Sequence, residues 1–357
     1  MEFSEELSRL CECETFPILT VKDGIVTNIN VYGSELNITT GTPIKSVIYG
    51  GLTDYERFSN GVLFLSLCLN DTIQNAVVVR RDKEDIFILE SKHTGALVNQ
   101  ANNIRKQLQK SLNDAMIGLD ILASNSELKE NVYFQDMTKS LFQLLKQAAD
   151  IRAEIEYTNN SANLLPNQEI TEFLAAYLEA SKPKVEGAGF KLKYTLPQKQ
   201  VFCSVDYDGI KFAIANMIST AIKYGKRNRT LNLKMVNHPN YCTITVSNLL
   251  KDNAQFKRFC KDNVFPVNPF LEDSHDSLYS SFRTLRAIAN RHKGSVHFDC
   301  IDGKTLKITL SIPAGIKLFN GNIKKLHTYI PAQLIHSGGH DPMLIALSDI
   351  LPSKFYA

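Results

Sequence analysis

The chain has 357 residues, and at roughly 100 to 200 residues per domain this length predicts two or three domains. Apolar residues make up 44% and charged residues 22% of the sequence, which excludes a disordered, fibrous or membrane-embedded chain. The 40 basic and 37 acidic residues are mixed along the chain and leave a formal net charge of +3, so no nucleic-acid partner is expected. One basic cluster is interpreted as a solvated loop: Lys223, Lys226, Arg227 and Arg229.

The seven cysteines are odd in number and scattered, which argues against a disulfide framework and favours a reducing compartment. The first residues lack the basic start and apolar stretch of a signal peptide. The longest apolar run, Val62 to Leu69, is too short to span a bilayer. We therefore expect a cytoplasmic protein without membrane insertion, and we predict no metal site.

Residues 1–90 alternate short β-rich runs with turn residues. A hairpin is predicted from Ile18 to Val31 around Asp23-Gly24, and two further strands surround an Arg81-Asp82-Lys83 turn. Leu52 to Phe58 fits a short helix better than a strand. This order of two strands, a helical middle and further strands resembles a PAS sensor domain, which implies a small antiparallel sheet.

Residues 91–160 contain no proline, and their apolar positions take helical spacing. The second half carries an a/d seam, and Ser124-Asn125-Ser126 is the predicted bend between two helices. Dimerisation into a four-helix bundle buries such a seam, whereas a lone antiparallel pair packed on its own domain is the alternative. The predicted seam consists of Met137, Leu141, Leu144, Ala148, Ile151 and Ile155.

The first of these helices contains Asn102-Asn103-Ile104-Arg105-Lys106-Gln107-Leu108. This heptapeptide resembles the phospho-acceptor motif of sensor histidine kinases, His-Glu-Leu-Arg-x-Pro-Leu. Asn102 occupies the place of the phosphorylated histidine, and a carboxamide has no basic nitrogen to attack a γ-phosphate. His93 lies nine residues upstream, more than two helical turns away, so the resemblance implies that no catalytic residue remains.

Residues 161–313 resemble the ATP-binding domain of the same family, an α/β sandwich. The most specific match is Asn216-Met-Ile-Ser-Thr220-Ala-Ile-Lys223-Tyr224, which is similar to the family's Asn-box helix. The resemblance implies that Asn216, Lys223 and Tyr224 bind nucleotide, with Lys223 at phosphate and Tyr224 against adenine. Thr220 stands where the family holds Mg²⁺ with an amide oxygen, and a hydroxyl is a weaker and shorter donor.

Two further nucleotide motifs have changed. Ser247-Asn248-Leu249-Leu250 follows the strand Cys242 to Val246, where the family has an adenine-reading Asp followed by glycines. Asn248 still offers an amide, but Leu replaces the glycines, which a loop needing positive φ tolerates poorly. Tyr279-Ser280-Ser281-Phe282 stands where the second glycine turn points its N–H groups at phosphate. An unrelated α/β domain, or a shifted alignment that retains catalysis, are the alternatives.

Residues 314–357 form a C-terminal tail, in which Met343 to Leu351 is apolar enough to dock as a short helix on its own domain or on a partner. The predicted fold class is thus α+β multidomain, with a PAS-like sheet, a helical hairpin and an ATP-binding-like domain. Three functional hypotheses follow: a dimeric histidine-kinase-like pseudokinase, a divergent kinase that phosphorylates another chain, and a nucleotide-binding sensory module. A response regulator or an active kinase is the implied partner, and ATP with or without Mg²⁺ is the implied ligand.

Overall fold

The computed structural model describes residues 17–30, 36, 38–59, 61–70, 72–81, 84–89, 111–112, 114–119, 121–122, 124, 126–159, 165–227, 229–251, 277–301, 304–314 and 340–356. The strands are β1 Ile18–Lys22, β2 Ile25–Ile29, β3 Ile48–Gly50, β4 Val62–Leu69, β5 Thr72–Arg81, β6 Glu84–Leu89, β7 Asn167–Glu169, β8 Lys191–Thr195, β9 Phe202–Ser204, β10 Thr230–Asn237, β11 Tyr241–Leu249, β12 Ser295–Ile301 and β13 Thr305–Pro313. The helices are α1 Leu52–Arg57, α2 Ser126–Lys129, α3 Val132–Asn159, α4 Thr171–Gly187, α5 Tyr207–Tyr224, α6 Ser277–Arg291 and α7 Pro342–Ala346.

The fold is a mixed α+β arrangement around one large sheet. Its strand order is β2-β1-β6-β5-β4-β12-β13-β11-β10-β8, with β3 added beside β4. All pairs along this order are antiparallel except β10 with β8, which are parallel. Strands β7 and β9 form a separate two-stranded sheet.

The predicted N-terminal hairpin is confirmed. Strands β1 and β2 pair around Asp23 and Gly24, both of which have positive φ (52° and 79°), as a two-residue hairpin turn favours. The predicted strands at Ala76 to Arg80 and Ile86 to Leu89 are also present, as β5 and β6. Val62–Leu69, which was noted only as the longest apolar run and not predicted as a strand, forms β4 in the middle of the sheet.

Strand β4 joins the N-terminal strands to the C-terminal ones. It pairs with β12 through Val62↔Phe298, His297↔Leu63 and Val296↔Phe64, so one sheet continues across the predicted boundary at residue 90. The apolar run of β4 is explained by burial on both faces, as is usual for a strand covered on each side. Val62 and Phe64 face the core under the C-terminal helices, whereas Leu63, Leu65 and Leu67 face a second core under α1.

Polar contacts support this junction on either side of the sheet. The Asp54 carboxylate of α1 accepts hydrogen bonds from Ser295 of β12 and from Ser311 of β13, the latter at 2.9 Å. On the opposite face Asn290 of α6 bonds Ser66 and Asn75 of β4 and β5. The N-terminal strands therefore contact both the second half of the sheet and helix α6.

Candidate functional site

Helix α5, which carries the Asn-box resemblance, lies at the centre of the C-terminal half. Its N-terminus is capped by Asp206, whose side chain accepts a hydrogen bond from the Asp208 N–H, and the helix ends at Tyr224 before Gly225. Fifteen of its eighteen residues are buried, because the sheet lies on one side of it and further helices lie on the others. Such a helix fixes its polar side chains in rigid positions.

Asn216, Thr220 and Lys223 are spaced by four and three residues and therefore share one face of α5. The Asn216 amide donates a 3.0 Å hydrogen bond to the Phe212 carbonyl of its own helix. The Thr220 hydroxyl is buried and has no hydrogen-bond partner in the described structure. Lys223 lies over the ring of Tyr224, with Nζ 5.6 Å from the centroid.

Asn248 is brought to this helix by strand β11. Its amide nitrogen donates to the Ala221 carbonyl at 3.2 Å, while its amide oxygen is a second buried atom without a hydrogen-bond partner in the described structure. Asn216, Thr220 and Asn248 are each 3% exposed or less. The structure thus places Asn248 of the second motif against the helix that carries the first, and it buries Asn216, Thr220 and Asn248.

Both places where the resemblance implies a glycine turn hold regular secondary structure. Strand β11 continues through Ser247 and Asn248 to Leu249, which pairs with Thr305 of β13. Helix α6 begins at Ser277, so residues 279 and 280 lie in its first turn and residues 281 and 282 lie beyond it. The N–H groups of residues 281 and 282 bond within the helix, whereas those of the first turn have no partner in the helix.

His292, just after α6, fixes the start of α5. Its Nδ1 lies 2.7 Å from the Ile288 carbonyl and its Nε2 accepts the Asp206 N–H at 3.1 Å, so the neutral ring with a proton on Nδ1 satisfies both contacts. Burial lowers the pKa of His292 below its usual value. A protonated Nε2 would point a proton at the Asp206 N–H.

This contact predicts a loss of stability in mild acid. The unfolded chain takes up a proton on His292 near pH 6.5, whereas the folded chain resists protonation to a lower pH. The contribution of neutral His292 to the free energy of unfolding is therefore complete above about pH 6.5, and it is lost as the pH falls toward the folded-state pKa. Urea unfolding of the wild type and of His292→Gln between pH 7.5 and about 5 measures this, and the variant should lose part of the slope. If His292→Gln keeps the full dependence of unfolding free energy on pH, the contact is contradicted. His238→Gln is the control and should keep the wild-type dependence.

The C-terminal segment docks on its own chain, as one of the two alternatives predicted. Ser219 of α5 donates a 2.7 Å hydrogen bond to the Ala346 carbonyl of α7, and Ser219 is three residues from Asn216 and four from Lys223. Lys146 of α3 forms an ion pair with Asp349. The sequence showed that this segment was apolar, but it contained no signal for these partners.

Helix α3 lies against α6 and the C-terminal segment, with Thr284 donating a 2.9 Å hydrogen bond to the buried Asp150. Its buried side includes Phe134, Phe142, Leu145 and Ala153. The predicted seam is divided. Met137, Leu144 and Ile151 are 46%, 42% and 47% exposed, whereas Leu141 and Ala148 are half-buried and pack against the core. The side chain of Ile155 lies outside the described residues.

The first predicted helix is described only between residues 111 and 122. There Leu112, Met116 and Leu119 are buried, while Ile117, Ile121 and Leu122 are exposed. Asn102 and His93 lie outside the described residues. In the described part of the chain, no helix is long and apolar enough to cross a membrane, and no group of three or more His, Cys, Asp or Glu side chains is placed to hold a metal.

Solved structures that match this chain include histidine kinases. AdeS of Acinetobacter baumannii matches 49% of this chain and 82% of its own, at 16% identity and a TM-score of 0.37. Full-length ShkA in complex with AMPPNP matches 61% of this chain and 46% of its own, at 14% identity and a TM-score of 0.46. ThkA, in a complex with the response regulator TrrA, matches 85% of this chain and 97% of its own, at 13% identity and a TM-score of 0.35. No family model and no curated protein matches the chain.

Proposed function

We propose that this protein is a histidine-kinase-like signalling protein that acts by binding partners and does not transfer phosphate. The support is the series of kinase-like segments in the sequence together with a layer formed by α4, α5 and α6 on one side of the sheet. The observation that carries the loss of transfer is that β11 continues through Leu249, where the resemblance implies a glycine turn. The backbone of a paired strand bonds to its neighbours and forms no anion-binding loop for a triphosphate.

The experiment that tests this proposal is incubation of the purified full chain with γ-labelled ATP and Mg²⁺. We expect no acid-labile phosphate on the wild type, because Asn102 has no nucleophilic nitrogen. We also expect none on Asn102→His, because the nucleotide-facing positions have changed as well. If Asn102→His is labelled and the wild type is not, the loss of phosphotransfer is restricted to the phospho-acceptor position. Labelling of the wild type would overturn the proposal.

Dimerisation through the seam of α3 is the second part of the proposal. Met137, Leu144 and Ile151 recur at seven-residue intervals, which is the spacing of a coiled-coil contact, and they are between 42% and 47% exposed. A second copy of the same helix presents a complementary stripe and buries both. The partners proposed beyond the homodimer are a response regulator or an active histidine kinase.

A second candidate function is favoured by one observation. The Thr220 hydroxyl and the Asn248 amide oxygen are both buried and lack hydrogen-bond partners in the described structure, and burial of such atoms is costly unless something bonds them. A bound nucleotide would supply that partner. In this alternative the protein binds ATP through Asn216, Thr220, Lys223, Tyr224 and Asn248, either as a divergent kinase or as a nucleotide sensor.

A further inference from the structure

A cavity of about 380 Å³ lies between α3, the helical residues near 116–119 and the C-terminal segment. The cavity is open to solvent on one side, and its volume lies within the range of ligand pockets, which start near 300 Å³. The cavity is distinct from the face of α5 that carries Asn216 and Thr220. Its walls are mixed, with a polar part that includes Lys129 and His340 and an apolar and aromatic part: Met116, Leu119, Phe134, Phe142, Phe355 and Tyr356.

The aromatic walls are held in place by their own contacts. Phe142 packs on Tyr356 with ring centroids 4.9 Å apart and meets the His340 imidazole edge to face at 5.7 Å. The Tyr356 hydroxyl donates a 3.0 Å hydrogen bond to the Leu344 carbonyl. The C-terminal segment is in turn fixed to α3 by the Lys146–Asp349 ion pair and by a 2.5 Å hydrogen bond from Ser353 to Asp136.

The polar side of the cavity has one sign of charge. Lys129 and His340 are its titratable groups apart from the Tyr356 phenol, and no carboxylate is among the described residues that line it. Lys129 is exposed and His340 is half-buried, so both are reachable by the polar end of a ligand whose apolar part lies among the phenyl rings. Ammonium and imidazole donors bind carboxylates strongly.

From this geometry we propose that the cavity binds a small amphipathic anion, an acyl carboxylate, between the long helix and the C-terminal segment. The apolar chain lies against Phe134, Phe142 and Phe355, and the carboxylate accepts hydrogen bonds from Lys129 and His340. Because the ligand contacts both α3 and the C-terminal segment, its binding stabilises the docked segment. This site is independent of the proposed loss of phosphotransfer.

The test is calorimetric titration of the full chain with decanoate, with decyltrimethylammonium as the cation of matched length. We expect saturable 1:1 binding of decanoate only, and a loss of about tenfold or more in Lys129→Gln/His340→Gln, since one charge-assisted hydrogen bond is worth about that factor. Lys139→Gln, which lies on α3 and does not line the cavity, should bind like the wild type. No saturable heat up to about 5 mM decanoate, or equal binding of the cation, would refute the site.

A filling variant checks the location without relying on charge. The chain contains no tryptophan, so Leu344→Trp places a single indole at the cavity wall, and Ile25→Trp places one on the exposed strand β2 as its control. A blue-shifted emission from Leu344→Trp shows that the variant folds with the indole buried, and that variant should lose decanoate binding. Undiminished binding by a folded Leu344→Trp contradicts the assignment.

The same chemistry is carried by membrane lipids, so a parallel arm uses phosphatidylglycerol vesicles. Binding of free decanoate without binding of vesicles supports a soluble acyl carboxylate as the ligand. If the protein binds the vesicles but does not bind free decanoate, the surface recognises lipid headgroups and the proposal is overturned.

Discussion

Replacing Gly61 with alanine is expected to destabilise the protein by about 3 kcal/mol or more, because two costs coincide at this residue. Gly61 has a φ of +86°, which an L-residue adopts at a cost of about 1 to 2 kcal/mol. A Cβ atom there would also overlap the carbonyl oxygen of Phe298. That carbonyl belongs to β12, so relief of the overlap requires β4 and β12 to separate.

Gly41→Ala is the matched control for this substitution. Gly41 has a similar φ of +92°, but no atom lies within 4 Å of the position that its Cβ would take. We expect it to lose only the conformational term, about 1 kcal/mol. Denaturant unfolding of both variants measures the difference, and equal losses would contradict the close contact between β4 and β12.

Leu144→Glu is expected to weaken self-association by about 100-fold or more while leaving the fold intact. Leu144 is 42% exposed in the single chain, so a carboxylate there remains hydrated in the monomer. In the proposed dimer the same position faces its symmetry mate, and two buried carboxylates repel each other and lose their water. Sedimentation equilibrium measures the dissociation constants, with unfolding curves as the test of folding.

Ile25→Glu provides the comparison for this variant. Ile25 is 46% exposed, so its replacement by Glu changes the charge and the exposed apolar area about as much as Leu144→Glu does. It lies on β2, at the end of the sheet order. We expect Ile25→Glu to associate like the wild type. A wild type that stays monomeric at high concentration, or a Leu144→Glu variant that associates normally, would rule out the seam as the interface.

The sequence predicted the parts of the fold that have local signals. Asp23-Gly24 specified its hairpin because both residues tolerate positive φ, and the α5 helix was identified by residues spaced along one element. The apolar spacing of α3 identified a helix, and Met137, Leu144 and Ile151 of its predicted seam remain exposed. In each case the deciding residues lie within a few turns of one another.

Features that depend on distant residues could not be predicted in this way. The apolar run of β4 indicates burial on both faces, but nothing in it specifies that its partner is β12, more than 200 residues later. The contacts of Ser219 with Ala346 and of Lys146 with Asp349 likewise join ordinary polar residues from separate segments. Their pairing follows from the tertiary packing of α3, α5 and α7, which has no periodic signature in the sequence.

The central claim is that the nucleotide site has lost its glycine turns, and calorimetric titration of the full chain with ATP and Mg²⁺ tests it most directly. The proposed loss predicts no saturable heat at millimolar nucleotide, where binding free energies are only about −4 kcal/mol. Saturable 1:1 binding with a dissociation constant below about 100 μM, reduced by Asn248→Leu, would contradict the claim. That result would assign the buried oxygens of Thr220 and Asn248 to a functioning nucleotide site.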